Sequence, residues 1–514
     1  MPPAPPWPID LALSGGGFRA AGFHFGGIQV LHEVGLLPHV RAISTVSGGT
    51  LVGAAWTLSL AQGEPFETFS DRFGAFLTRN NLANCTLLAL LDRPDGREPS
   101  LIRAVARVYA EKLLRVRGAD GKERPARLGD VFGAEQAPPT ICFNTTELYS
   151  GTDFRFQRGP GSGLVIGNGD VSIPRDQAEG LRLADIVAAS SCFPGGFEPL
   201  LLPDDFVAPE GAGAPPVTVR FAGHPDRRGP VALMDGGIYD NQGTESLLLD
   251  RAGTGDPPGL LLVSDASPAP PPEGFYEPPP PPRIGGMSVG MAVILASFAL
   301  LTVIFVLLAQ ATWVAMQGNT TYAAIDVGLA AIVALIGVGG AYTLNGFYRL
   351  VLDHVPPAHH TRLGMLGVNH VLHFLRVRLR SLAPLTTDIF VKRIRRLSYA
   401  HAWQDERVAG KVVASLVDDL PDRARDAARL VAAGLPAPTD VVRRDLDVAA
   451  RMDTTLWWDN ALQREAVIRA GRDSMCFNLL DHLLERYGGP ADHPPEVAEV
   501  FGKLAERWRA ANGG

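Results

Sequence analysis

Met287–Met316 contains no Asp, Glu, Lys, Arg or His and includes the run AVILASFALLTVIFVLLA. As a helix rising about 1.5 Å per residue, such a stretch is long enough to cross a hydrocarbon core of about 30 Å. A polar break, Gln317–Tyr322, follows, and Val327–Leu344 is a second uncharged run rich in Gly and Ala. Two greasy core helices are the competing reading. The proline-dense segment SPAPPPEGFYEPPPPPR (Ser267–Arg283) immediately before the pair favours a stiff spacer leading to a membrane hairpin. The expectation is therefore a linker at 268–283 and a hairpin within 284–348, spanning at about 287–309 and 325–346. Arg283, Arg349 and Arg362 flank the hairpin, and its connecting loop has no Lys or Arg. By the positive-inside rule both flanking regions are expected in the cytoplasm.

The remainder of the 514 residues has the composition of globular protein, with 46% hydrophobic and 20% charged residues over the whole chain. A net charge of −7 offers no global footprint for nucleic acid. Cys85, Cys142, Cys192 and Cys476 are widely scattered, which suits neither a disulfide scaffold nor a zinc framework. The opening MPPAPPWPID lacks the basic and apolar regions of a cleaved signal peptide. Residues 1–267 alternate apolar β-rich runs with helical stretches and read as an α/β layer structure. The strands expected are Ile9–Ser14, Val40–Val46, Thr140–Asn144, Val231–Met234 and Leu260–Val263, with Pro203–Pro230 a long surface loop. Residues 349–514 read as helical and can complete the same domain. Their basic stretches, Val368–Arg380 and Asp388–Arg396, suit either a solvated face or anionic headgroups.

Three local patterns in the first block carry chemistry. Leu11–Ser14 runs into Gly15-Gly16-Gly17 and then a helix from about Phe18. Consecutive glycines at a helix N-terminus leave N–H groups bare for a phosphate or an oxyanion. Gly15-x-Gly17-x-x-Ala20 partly fits a dinucleotide fingerprint, but the second strand ends Ser44-Thr45-Val46-Ser47 without the acid that fingerprint requires. Ser47-Gly48-Gly49 stands between a strand and a helix, the setting of a nucleophile elbow, although Thr45 replaces the first glycine of G-x-S-x-G. The third pattern is Asp235-Gly236-Gly237 after an apolar strand, which puts a carboxylate at the carboxyl edge of the sheet.

Together the three resemble the patatin-like phospholipase family: Gly15-Gly16-Gly17-Phe18-Arg19, Thr45-Val46-Ser47-Gly48-Gly49 and Asp235-Gly236-Gly237. FNTTELYSGTDFRF (Phe143–Phe156) and AASSCFPGGFEP (Ala188–Pro199) look like the family too, whereas the hairpin is not part of its common core. The resemblance implies a three-layer α/β/α domain and a lipid acyl hydrolase of phospholipase or lysophospholipase type. It implies a dyad in which Ser47 attacks an ester and Asp235 shuttles the proton. Gly15, Gly16 and Gly17 would hold the oxyanion, Gly48 and Gly49 would clear the elbow, and Arg19 would brace the loop. It calls for no cofactor or metal and names membrane lipid as the substrate partner. An aspartate of ordinary pKa, about 4, is a weak base near neutrality, so such a dyad should lean on its oxyanion loop. A triad histidine would have to follow Asp235; His354, His359, His360, His370, His373 and His401 do so, none within a distinctive motif. The alternative functions are an inactive membrane-tethered lipid-binding or scaffold protein, and a dinucleotide-binding membrane protein.

Overall fold

The computed structural model describes residues 7–91, 99–118, 121–159, 165–207, 217–224, 226–254, 259–267, 288–352, 391–417 and 427–513, with isolated positions at 280, 369–370, 372–373 and 376–378. The expected linker at 268–283 lies outside the described residues except for position 280, as do Arg283, Arg362, His354, His359 and His360. The chain divides into two units, Met1–Gly274 with Asp388–Gly514, and Phe275–Thr387.

The first unit is α/β. Apolar, β-branched runs form β1 (Ile9–Leu13), β2 (Val40–Val46), β5 (Thr140–Glu147) and β12 (Leu260–Asp265). Every residue of β1, β5 and β12 is buried, as expected of strands covered on both faces. These strands run parallel in the order β5-β2-β1-β12, and β13 (Val412–Leu416) adds to the outer side of β12 in parallel register. The region beyond residue 349 therefore contains a strand, where the sequence reading expected helix alone; Val412–Leu416 is short and both its ends are half-buried.

Beyond β5 the sheet turns antiparallel through β6 (Thr152–Arg158), β7 (Val165–Gly167), β8 (Val171–Pro174) and β10 (Arg220–Phe221). β11 (Val231–Asp235) pairs with β5 and with β9 (Leu200–Leu202), antiparallel to both. A separate hairpin joins β3 (Arg115–Arg117) to β4 (Glu123–Pro125). Helix α1 (Gly17–Glu33) is buried along nearly its whole length, because the helix Ala461–Tyr487 from the C-terminal region lies directly against it. Backbones touch there: a Cβ at Gly26 would lie 2.1 Å from Ile468 O, and one at Gly471 would lie 1.9 Å from Phe23 O. Helix α2 (Gly48–Ala61) follows β2 and is buried over twelve of its fourteen residues.

The second unit holds helices Val289–Met316 and Thr320–Leu352, packed against each other and joined by a turn at Gly318. Within them Ile294–Met316 and Thr320–Gly340 are long and apolar enough to cross a membrane, with mean hydropathy 2.5 and 2.1. Large apolar side chains such as Phe298, Phe305, Leu335 and Ile336 stand exposed. The second helix starts at Thr320, so it takes in the end of the expected polar break as well as Asp326.

Candidate active site

The site forms where two strands meet end to end along a third. β2 lies parallel beside the first half of β5, with Val46 opposite Asn144. β11 lies antiparallel beside the second half, with Asp235 opposite Thr145. The carboxyl ends of β2 and β11 therefore approach each other at adjacent positions of one strand, and the residues that close them are Ser47 and Asp235. The sequence reading placed Asp235 at the edge where strands end; the structure reaches the same place with a strand of opposite direction.

Among the described residues Ser47 is the only non-glycine with positive φ, at φ 51 and ψ −118. That strained turn between strand and helix projects the side chain out of the sheet. Its N–H donates to Ser190 Oγ at 3.0 Å, and Ser190 Oγ donates to Asn144 O at 2.7 Å. With both roles of Ser190 taken, Thr50 Oγ1 is the donor in their 2.7 Å contact. Asn144 in turn donates to Ser44 Oγ and Thr45 O, so the elbow is tied to β5 by buried polar groups.

Glycines make the turn possible by close approach. A Cβ at Gly48 would lie 2.1 Å from Gly17 O, and one at Gly49 would lie 2.4 Å from Leu13 O. Thr45, the departure from G-x-S-x-G, is accommodated from across the turn. Its Cγ2 occupies the space beside Gly53, where an added Cβ would come within 2.5 Å.

The Ser47 hydroxyl adjoins the Asp235 carboxyl, whose Oδ1 accepts the Gly237 N–H at 2.8 Å. The backbone of Asp235 is held on both sides, N–H to Cys192 O and C=O from Thr146 Oγ1. Burial, opposed by the Gly237 N–H and the neighbouring Ser47 hydroxyl, pushes its carboxyl up to about 6. The weakness of an ordinary aspartate as a base is thereby much reduced, a change that only the folded environment supplies. No described histidine hydrogen-bonds Asp235; His24 instead bridges Ser264 Oγ and Ser14 O inside the core, and burial lowers it to about 4.

The glycine loop borders the pair, since a Cβ on Gly15 would lie 3.3 Å from Ser47 Cβ. Its three amides are not equivalent. Gly15 N–H is taken by Asn241 O at 3.0 Å, whereas Gly16, Gly17 and Gly48 make no backbone N–H bond to another described residue. Gly16 and Gly17 have φ of 140 and 60, which glycine adopts without strain. Arg19, 1% exposed, donates to Ala266 O at 2.7 Å, to Met452 O and to Thr454 Oγ1. Thr455 O accepts Phe18 N–H, and Trp458 packs on the Phe18 ring at 5.6 Å. Residues 452–458 and Asn241 were given no role from sequence; Asn144 and Ser190 lie in the family-like stretches Phe143–Phe156 and Ala188–Pro199 but were not singled out within them.

A family model described as patatin-like phospholipase matches residues 11–248. No curated protein matches the chain. Among solved structures, human GIVD cytosolic phospholipase A2 is similar at 16% identity over 53% of this chain and 47% of that one, with a TM-score of 0.29. This chain thus spans about half the length of that protein. VipD from Legionella pneumophila is similar at 12% identity over 98% of this chain and 92% of that one, with a TM-score of 0.26. With the family match covering the glycine loop, the elbow and the Asp-Gly-Gly turn, this chain carries a domain of the patatin-like phospholipase family, a family of lipid hydrolases.

Proposed function

We propose that the protein is a membrane-anchored serine acyl hydrolase acting on lipid esters of phospholipid or lysophospholipid type. The observation that carries this reading is the approach of a strained elbow serine and a buried aspartate at neighbouring positions along one strand. Ser47 Oγ attacks the acyl carbon as its proton passes to Asp235, and the proton then goes to the leaving alcohol. Water hydrolyses the acyl-serine by the same steps in reverse. The bare amides of Gly16 and Gly17, with Gly48 following the nucleophile, are suited to hold the oxyanion, while Gly15 positions the loop through Asn241. Arg19 braces the loop from behind. The two apolar helices favour anchoring in a bilayer, which keeps the site beside its lipid substrate. The charge distribution around them favours a cytoplasmic catalytic unit.

The experiment is labelling with a serine-reactive fluorophosphonate, combined with ester turnover. Wild type should label at Ser47 and hydrolyse lipid esters; Ser47→Ala should do neither. A folded Ser47→Ala protein with wild-type turnover would remove the assignment.

A further inference from the structure

The Asn241 side chain stands between the two halves of the site and, unlike its backbone carbonyl, has no role in the reaction described so far. Its carboxamide oxygen is the nearest atom both to a Cβ placed on Gly15, at 2.5 Å, and to one placed on Gly237, at 2.6 Å. The first of those positions is 3.3 Å from Ser47 Cβ, and the second is 3.0 Å from Asp235 Oδ1. The side chain therefore fills the gap between the nucleophile's flank and the carboxylate's flank. Asn241 is 7% exposed, and neither atom of its carboxamide is among the fully buried polar atoms without a partner. The carboxamide thus keeps access to solvent beside the nucleophile, where a water can bridge it to the site.

Its neighbours are pinned. Asp240 accepts the Gln242 N–H and the Glu245 N–H. Gln242 donates to Asp265 Oδ2, which also takes Arg395 and Tyr399. Residue 241 is thus presented from a segment anchored on both sides, the arrangement that a precisely aimed polar group needs.

We propose that the Asn241 carboxamide is a catalytic group that binds the water which deacylates Ser47, holding it between Asp235 and the acyl carbon. The proposal rests on the Ser47–Asp235 reading. In the step it assists, the water oxygen bonds to the acyl carbon while its proton passes to Asp235. The Ser47 Oγ–carbon bond then breaks, and the proton on Asp235 returns to Ser47 Oγ. The carboxamide gains and loses nothing; it orients the water.

The test is pre-steady-state hydrolysis of p-nitrophenyl butyrate by the full chain in detergent micelles, with intact-mass detection of the butyryl adduct. Asn241→Ala should acylate at close to the wild-type rate, then turn over at least about tenfold more slowly, so that the adduct accumulates. Asn241→Ser, whose hydroxyl can still hold a water, should fall between the two and serves if the alanine variant does not fold. Hydroxylamine, a stronger nucleophile than water, should restore release of the acyl group from the alanine variant. Equal slowing of acylation and deacylation, or no slowing of either, would overturn the proposal while leaving the dyad standing. If wild type itself forms no adduct at Ser47, the dyad reading fails and this one with it.

Discussion

Replacing Asp235 with Asn should inactivate the protein and stabilise it at the same time. Burial holds the Asp235 carboxyl at about 6 against an ordinary value of 3.8. Between those values the folded state binds more protons at Asp235 than the unfolded state, so this group's contribution to stability falls as pH rises from about 4 to about 6 and is level above that. Two pKa units correspond to about 3 kcal/mol, the upper limit of what the ionised carboxylate costs the fold above pH 6. Asn mimics the neutral acid in shape and can still meet the Ser47 hydroxyl, but it cannot take a proton. Asp235→Asn should therefore match wild-type stability near pH 4 and exceed it near pH 8. The assay is the mutant-minus-wild-type difference in unfolding midpoint at the two pH values in one detergent, which cancels every other titrating group. In parallel, wild-type kcat/KM should drop about tenfold per pH unit below about 6 and be flat above it. A stability difference that does not change with pH, or an acid limb near pH 4, would refute the burial argument.

Two further outcomes follow from contacts already described. Gly53→Ala should slow turnover and lower the unfolding midpoint, because the new methyl meets Thr45 Cγ2 at 2.5 Å; Thr45→Gly in the same chain should restore both, which a double-mutant cycle reads directly. Arg395→Gln strips the guanidinium that, against burial, holds the Asp265 carboxyl below its usual range. Leaving that buried carboxylate without its ion pair should cost about 3–5 kcal/mol near neutrality, seen as a lower midpoint; the loss should fade as pH falls and Asp265 takes up a proton.

The parallel centre of the sheet was legible because each strand is a short apolar run bounded by turn residues. Val40–Val46 was read to its observed ends, and Ile9, Val231 and Leu260 were read as starts where strands do start. The three glycine-marked turns were legible for the same local reason: backbone that must bend sharply or approach closely leaves glycine in the sequence. What escaped depends on distant partners. Nothing local in Asn241 says that its carbonyl takes the Gly15 amide, and nothing in Met452–Thr455 says that it props the same loop. The direction of β11 was hidden as well, since its apolar run Val231–Met234 reads alike in either sense. Nor can a residue's neighbours in sequence reveal how far burial moves its proton affinity, as at Asp235.

β12 and β13 are adjacent parallel strands, yet the link between them carries the whole Phe275–Thr387 unit. A crossover between parallel neighbours has no upper length limit provided its ends return to the sheet edge. The long insertion is therefore a tenant of one loop, and the α/β body is written in two instalments. A protein cut after Ser267 would bare the outer side of β12 and take from Arg19 and Phe18 the carbonyls of Met452 and Thr455. Excising the tenant and rejoining the loop would keep them all.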